Sequence, residues 1–235
     1  MRSLAFAVAM TATLGCASTA SAASLRVAPV VIDLTAPTAS SHITLWNDAA
    51  KPINVQVRIF KWNQATGADV LVPAQEVVAS PPITSMKAGG QSLVRIVRTS
   101  KAPVSGEESY RLVVDELPTA GSQAATVVMV VRHSIPVFFS QDQVSAPSVE
   151  WNIAPSVGGY QVTAVNRGQR RFKVANLSLK TGTATLGKRE GLVGYVLGGS
   201  SVSWFVAGKK TAGAVTVSGE HEGGSFNAKA KPRGG

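Results

Sequence analysis

Beyond residue 23 the apolar residues recur at every second position in short runs, cut at about ten-residue intervals by Gly, Pro, Asn and Ser, and no long segment keeps a helical period. A chain of this kind buries its apolar side by stacking one sheet on another, so the expected class is all-β, a sandwich or a barrel. The clearest alternation is Ile53, Val55, Val57 and Ile59 on one face against Asn54, Gln56 and Arg58 on the other. Leu25 to Leu34 reads as one extended opening strand, followed by a strand through Ile43 and Leu45. Val70 to Val78 reads as a broken strand ended by Ser80-Pro81-Pro82, because successive prolines remove ladder donors. Leu93 to Arg98 and Tyr110 to Leu117 alternate in the same way.

The most hydrophobic stretch of the mature chain runs from Thr126 to Phe139. Val127, Met129 and Val131 share one face and Val128 and Val130 the other, so both faces are apolar and burial on both sides is the plain reading. Seven or eight strands in roughly 115 residues is the count of an immunoglobulin-like sandwich. Residues 142–147 then read as a linker, and residues 148–235 as a second, smaller β-sandwich with a basic, mobile tail holding Lys229, Lys231 and Arg233. The expected organisation is therefore a first domain over residues 23–141 and a second over 148–235, with no internal repeat evident.

Residues 1–22 read as an export signal: Arg2, an uncharged apolar run from Leu4 to Leu14, and the small-x-small triplet Ala20-Ser21-Ala22. The alternative is lipoprotein processing at Cys16, against which stands the polar Thr13. Cleavage after Ala22 leaves 213 residues without cysteine, so the mature chain folds in an oxidising compartment with no disulfide. The apolar run is too short for a retained span, and no stable membrane insertion is expected.

Reactive constellations are scarce. His133 beside Ser134 and His42 near Thr44 do not form a nucleophile and base, because neighbouring strand residues point to opposite faces. One Cys and three His are too few for a Cys-rich metal site, and no phosphate-loop, HExxH or CxxC motif is present. We expect a non-enzyme without cofactor or metal. The formal charge of +10 is scattered rather than interleaved with stacking aromatics, so nucleic acid is not an expected partner, and the charge supports only general steering toward acidic partners or anionic surfaces.

Ala79-Ser80-Pro81-Pro82, Gly89, Gln91-Ser92-Leu93-Val94-Arg95-Ile96, Glu108-Ser109-Tyr110-Arg111-Leu112, Asp115-Glu116-Leu117-Pro118 and the 127–139 strand resemble, in order and spacing, the periplasmic pilus-assembly chaperones of the PapD-like family. The likeness covers roughly residues 25–140, and the Ser-Tyr-Arg-Leu and Ser-Ile-Pro-Val-Phe segments look closer to its nonclassical, spore-coat or archaic branch. The resemblance implies two tandem immunoglobulin-like domains in a boomerang arrangement. It also implies a periplasmic location, pilin-like subunits lacking a terminal strand as partners, an outer-membrane usher as recipient, and weak self-association through a free edge. The implied mechanism is strand donation, with Val127, Met129 and Val131 matching the side chains that the family inserts into the subunit groove. Without the resemblance, a structural or adhesive surface subunit built of sandwich domains is the rival expectation.

The better-known branch anchors the subunit's terminal carboxylate with an Arg and a Lys, and this sequence has Val31 and Pro136 at the matching positions. Arg95, Arg98, Arg132 and His133 are the candidate substitutes, since a carboxylate requires charged donors. By the same resemblance Arg95 has a competing structural role, an internal ion pair with Glu108.

Overall fold

The computed structural model of the chain describes residues 25–118 and 130–232. The proposed signal and two of the three inserting side chains, Val127 and Met129, lie outside the described residues. The first domain contains β1 (Leu25–Ala28), β2 (Ile32–Thr35), β3 (Ser40–Asn47), β4 (Ile53–Asn63), β5 (Val70–Pro73), β6 (Val77–Ser80), β7 (Ile83–Met86), β8 (Gln91–Arg98), β9 (Glu107–Leu117) and β10 (Arg132–Ser140). One sheet runs β1-β3-β8-β6, and the other runs β2-β10-β9-β4-β5 with β7 also on β4. The second domain contains β11 (Val149–Ser156), β12 (Gly159–Asn166), β13 (Phe172–Thr181), β14 (Ala184–Val196), β15 (Ser201–Ala207), β16 (Thr216–His221), β17 (Gly224–Lys229) and β18 (Lys231–Pro232). Its sheets run β15-β12-β11-β18 and β14-β13-β16-β17. The architecture is two immunoglobulin-like sandwiches in tandem.

Period-2 alternation builds each core. Ile53, Val55 and Val57 of β4 are buried with Tyr110, Leu112 and Val114 of β9 and Ile135, Val137 and Phe139 of β10, facing Ile43, Leu45, Val94 and Ile96 of the other sheet. Tyr110 meets Phe139 edge to face at 5.9 Å. Burial and the adjacent Glu108 carboxylate push the Tyr110 hydroxyl well above the ordinary phenol range.

The expected opening strand and the expected broken strand over 70–78 are each divided between sheets. The opening segment gives β1 to one sheet and β2, parallel to β10, to the other, with Pro29 between them. The 70–78 segment likewise gives β5 to β4 and β6 to β8. Residues of the expected tail take part in β17 and β18, with Lys231 and Pro232 pairing parallel to β11. The 142–147 connection is tied to the 166–170 turn: Gln169 N donates to Ser145 Oγ and Arg170 N to Ser145 O, and a side chain at Gly168 would meet Ala146 O at 2.1 Å.

Each domain also contains a device that the sequence conceals. Asn47 accepts the Ala49 amide and donates Nδ2 to the carbonyls of Lys51, Met86 and Lys87. Asn166 accepts the amides of Gly168 and Ser148 and donates Nδ2 to the carbonyls of Arg170, Val196 and Leu197. Both amides are fully buried at the end of a strand and close the turn that follows it. Truncating either leaves buried carbonyls unpaired, so Asn47→Ala and Asn166→Ala are each expected to cost roughly 1–3 kcal/mol, read as a lowered urea midpoint.

The domains meet through an apolar cluster, a glutamine bridge and a set of ion pairs to which Arg170 also contributes, reaching Asp33 at 3.1 Å. Trp62, Phe138, Tyr195 and Leu197 form a shared apolar cluster with Val31, in which Trp62 meets Tyr195 edge-on at 5.6 Å. Gln64 of the first domain donates to Tyr195 O and accepts from Leu197 N, both at 2.9 Å. Arg171, 2% exposed, reaches Glu107 and Asp33 at 2.6 Å and Glu222 at 3.2 Å, with its guanidinium 3.7 Å from the Phe138 ring centre. In β10 both faces are buried: Ile135, Val137 and Phe139 enter the first core, while the opposite-facing Phe138 belongs to the interdomain cluster. Of the residues expected to be buried on both sides, 127–129 lie outside the described residues and Val130 is 46% exposed. Val31, matched to a lost anchor, is thereby a packing residue.

Candidate functional site

Strand β10 is covered unevenly. On one side it pairs with β9 along its whole length, from Arg132 opposite Asp115 to Ser140 opposite Glu107. On the other, β2 pairs only with Val137–Ser140, so among the described residues 132–136 have no partner strand on that flank. The Val131 carbonyl accepts the Glu116 amide of β9, and the Ser140 carbonyl accepts the Ala36 amide on the β2 side. Backbone groups alternate sides along an antiparallel ladder, so residues 133 and 135 face β9 while 132, 134 and 136 face the open flank. Pro136, without an N–H, sits where its missing donor costs no internal hydrogen bond and where the open stretch ends.

The outward face of this sheet has a register of its own. Gln56, Asp115 and Arg132 form one cross-strand row, Arg58, Val113 and Ser134 the next, and Phe60, Arg111 and Pro136 a third. Asp115 is shared by Arg132 and by Arg58, the latter at 2.5 Å. Burial alone would raise its carboxyl, yet the two guanidiniums hold it below the ordinary range. An open cleft of about 380 Å³ lies here, lined by Arg58, Asp115, Leu117, Val130 and Arg132 among others.

The expected anchors separate. Arg132 is exposed but committed to Asp115. The His133 Nε2 lies 2.9 Å from Leu25 O. Val131 is partly buried and packs on the first core. Arg95 is exposed on β8, opposite His42 and Ser80, in the other sheet. The ion pair assigned to Arg95 and Glu108 belongs instead to Arg98, which reaches Glu108 through Nε and Nη2 at 2.9 and 2.8 Å and caps the carbonyls of Ser100 and Ala102. The reason is parity: Arg98 shares the inward face of β8 with the buried Val94 and Ile96, whereas Arg95 faces solvent with Leu93. Burial pushes the Glu108 carboxyl up, but Arg98 and the Tyr110 hydroxyl hold it below its usual value. With its donors occupied and 8% exposure, Arg98 is a structural cation.

Arg111, not among the expected anchors, occupies the place that fits the role. It stands directly across from Pro136, and its guanidinium lies 3.8 Å from the Trp62 ring centre and 5.6 Å from that of Tyr195. No carboxylate forms an ion pair with it among the described residues. Burial lowers its pKa, partly opposed by Asp69, but an arginine so perturbed remains charged at neutral pH. Beside it the buried indole N–H of Trp62 has no hydrogen-bond partner. A half-buried cation without a carboxylate partner suits an anion.

A family sequence profile described as "Pili and flagellar-assembly chaperone, PapD N-terminal domain" matches residues 24–145. No curated protein matches the chain. Among solved structures, the chain is similar to one in the CsuC–CsuE chaperone–tip adhesion subunit pre-assembly complex from archaic chaperone-usher Csu pili of Acinetobacter baumannii. That likeness has 25% identity and a TM-score of 0.71, and covers 90% of this chain and 100% of that one. The E. coli chaperone DraB aligns at 22% identity and a TM-score of 0.60 over 89% and 97% of the two chains. A chain of the Salmonella enterica SafA pilin–SafB chaperone complex aligns at 18% and 0.60 over 89% and 98%. The latter two likenesses bear on the fold alone.

Proposed function

The chain belongs to the PapD-like family of pilus-assembly chaperones, and we propose that it acts by lending the segment ahead of β10 to a pilin-like subunit that lacks a strand of its own sheet. The rival reading, a surface or pilus subunit, gives way to the family membership. The observation that carries the proposal is the half-covered β10, open over Arg132–Pro136 and closed by β2 beyond it. A guest strand placed there gains main-chain hydrogen bonds, and Val127 and Met129 supply apolar side chains, each contributing roughly 1.5–3 kcal/mol when fully buried, while Val131, already partly packed on the first core, adds less.

Register then locates the guest's end. The ladder on the open flank stops at Pro136, and Arg111 is the cation beside that stop. A subunit terminating there brings its carboxylate to Arg111, which replaces the Arg–Lys pair absent at Val31 and Pro136. Export to the periplasm, hand-over of the subunit to an outer-membrane usher when the next subunit's strand displaces the lent one, and weak pairing of two free copies through the same flank complete the reading.

Co-expression with exported proteins encoded nearby should yield a copurifying subunit. Hydrogen exchange on that complex should show the amides of Arg132 and Ser134 gaining protection, while those of His133 and Ile135, which face β9, change little. A complex in which 132 and 134 exchange as fast as in the free chaperone would defeat strand lending along this flank, and so would the failure of every neighbouring β-subunit to copurify.

A further inference from the structure

The positive charge is not spread evenly between the two sandwiches. Residues 23–147 carry ten Lys and Arg against nine Asp and Glu, whereas residues 148–235 carry twelve against four. The arginines of the second domain nearest the joint, Arg167, Arg170 and Arg171, are each paired with a carboxylate. The opposite end is built differently. Residues 154–160, 179–187, 207–216 and 228–230 contain Lys180, Lys209, Lys210 and Lys229 but no Asp, Glu or Arg.

These segments come together at one end of the sandwich. Gly158 O in the β11–β12 turn accepts the Gly208 amide, and Leu186 O of β14 accepts the Lys209 amide. A side chain at Gly213 would meet Thr181 Oγ1 at 2.9 Å, so the loop after β15 lies against the β13–β14 turn. Lys180 of β13, Thr216 of β16 and Lys229 of β17 form one cross-strand row on the outward face. All four lysines are exposed, and the ion-paired lysines of this domain are Lys188 and Lys231 instead. At the tip of the β11–β12 turn Val157 is 93% exposed, so its side chain adds almost no burial to the fold.

A fixed carboxylate on a protein partner is best met by the planar fork of arginine, whereas lysine is a flexible point charge. Here four such charges stand on separate strands and loops, beside a bare apolar tip. That combination suits a broad, fluid negative surface with an apolar layer beneath it. We infer that this end of the second sandwich docks on an anionic phospholipid bilayer, with Lys180, Lys209, Lys210 and Lys229 over the head groups and Val157 entering the interface. The contact is peripheral and reversible. Strand β10 lies in the first domain, beyond the joint, so docking leaves its open flank free.

The test is flotation of residues 23–235 with vesicles of phosphatidylglycerol mixed into phosphatidylcholine, and with vesicles of phosphatidylcholine alone. The chain should float with the first and not with the second, and salt at about 0.5 M should release it. Changing any one of the four lysines to Gln should weaken the partition by about fivefold, the effect of one basic residue at an anionic surface. Lys51→Gln, Lys87→Gln and Lys101→Gln together, at exposed positions of the first domain, should leave it within about twofold, because those charges lie beyond the screening length. Residues 23–235 contain no cysteine, so a polarity-sensitive dye on Val157→Cys reports on the tip alone and should shift to the blue on the phosphatidylglycerol vesicles. Failure to float with those vesicles, an unmoved dye, or a loss in the first-domain triple variant as large as in the lysine variants would each overturn the docking surface. Tighter binding to polyglutamate than to the vesicles would also overturn it, because the lysines would then serve an acidic polypeptide.

Discussion

Arg111→Met is expected to leave the chaperone folded and to weaken subunit capture by about 30-fold to several thousand-fold, the range that follows from deleting one partner of a desolvated, hydrogen-bonded charge pair. The methionine retains contact with Trp62 and Tyr195, and the free protein loses only a half-buried cation without an ion pair, so its urea midpoint should change little. Arg111→Glu sets like charge against the incoming carboxylate and should abolish the complex altogether. Arg111→Lys keeps the charge but not the flat stack on the indole, and should fall between the two. The decisive pair of readings is copurified subunit and thermal unfolding of the free chaperone. A folded Arg111→Met variant that captures subunit as the parent does would remove Arg111 from the site while leaving strand lending untouched.

Arg171→Met should cost about 3–5 kcal/mol, since it removes the guanidinium 2.6 Å from the carboxylate of Glu107, 1% exposed in the interdomain joint, and leaves it the residue 171 amide, the Ser140 hydroxyl and a 3.8 Å approach of Arg170. Burial already pushes the Glu107 carboxyl above its ordinary value despite Arg171. Without the guanidinium it rises further. A carboxyl whose folded pKa exceeds its unfolded one binds more protons when folded, so its penalty is greatest above the folded pKa and fades as the pH drops below the unfolded one. The gap between variant and parent should therefore narrow from pH 7 to pH 4, measured as the difference in urea midpoints. In the same variant the two domains should unfold less cooperatively, because Arg171 links Asp33 and Glu107 of the first domain with Glu222 of the second, and the more exposed Arg170, which also reaches Asp33 at 3.1 Å and Glu107 at 3.8 Å, is left as the cation joining the domains there. A gap that widens on acidification would show that Glu107 is not the group left uncompensated.

The sequence revealed faces more readily than neighbours. Ile53, Val55 and Val57 alternate so plainly that their burial was legible from spacing, and Pro81-Pro82 marked the break between β6 and β7. Periodicity does not say which sheet a strand joins, so the division of residues 25–35 and 70–80 between two sheets was invisible. Nor does it fix register across strands. Arg95 and Arg98 are three apart on one strand and point oppositely, which is why the wrong one was matched to Glu108. Arg111 was hidden for a similar reason: its meaning depends on facing Pro136 from another strand. The Asn47 and Asn166 turns share little beyond the amide and a basic residue four positions on, so a shared structural solution left no readable repeat.

The partial cover that β2 gives β10 limits what two loose copies can do to one another. Amyloid-like zippering feeds on a long, uninterrupted row of backbone donors, and here that row meets a proline and then an occupied flank. Two such edges laid together gain few bonds over the described stretch before they run out of backbone to share. Under the strand-lending proposal, the same feature that leaves the margin open to a guest with its own groove also acts as a brake on polymerising with itself.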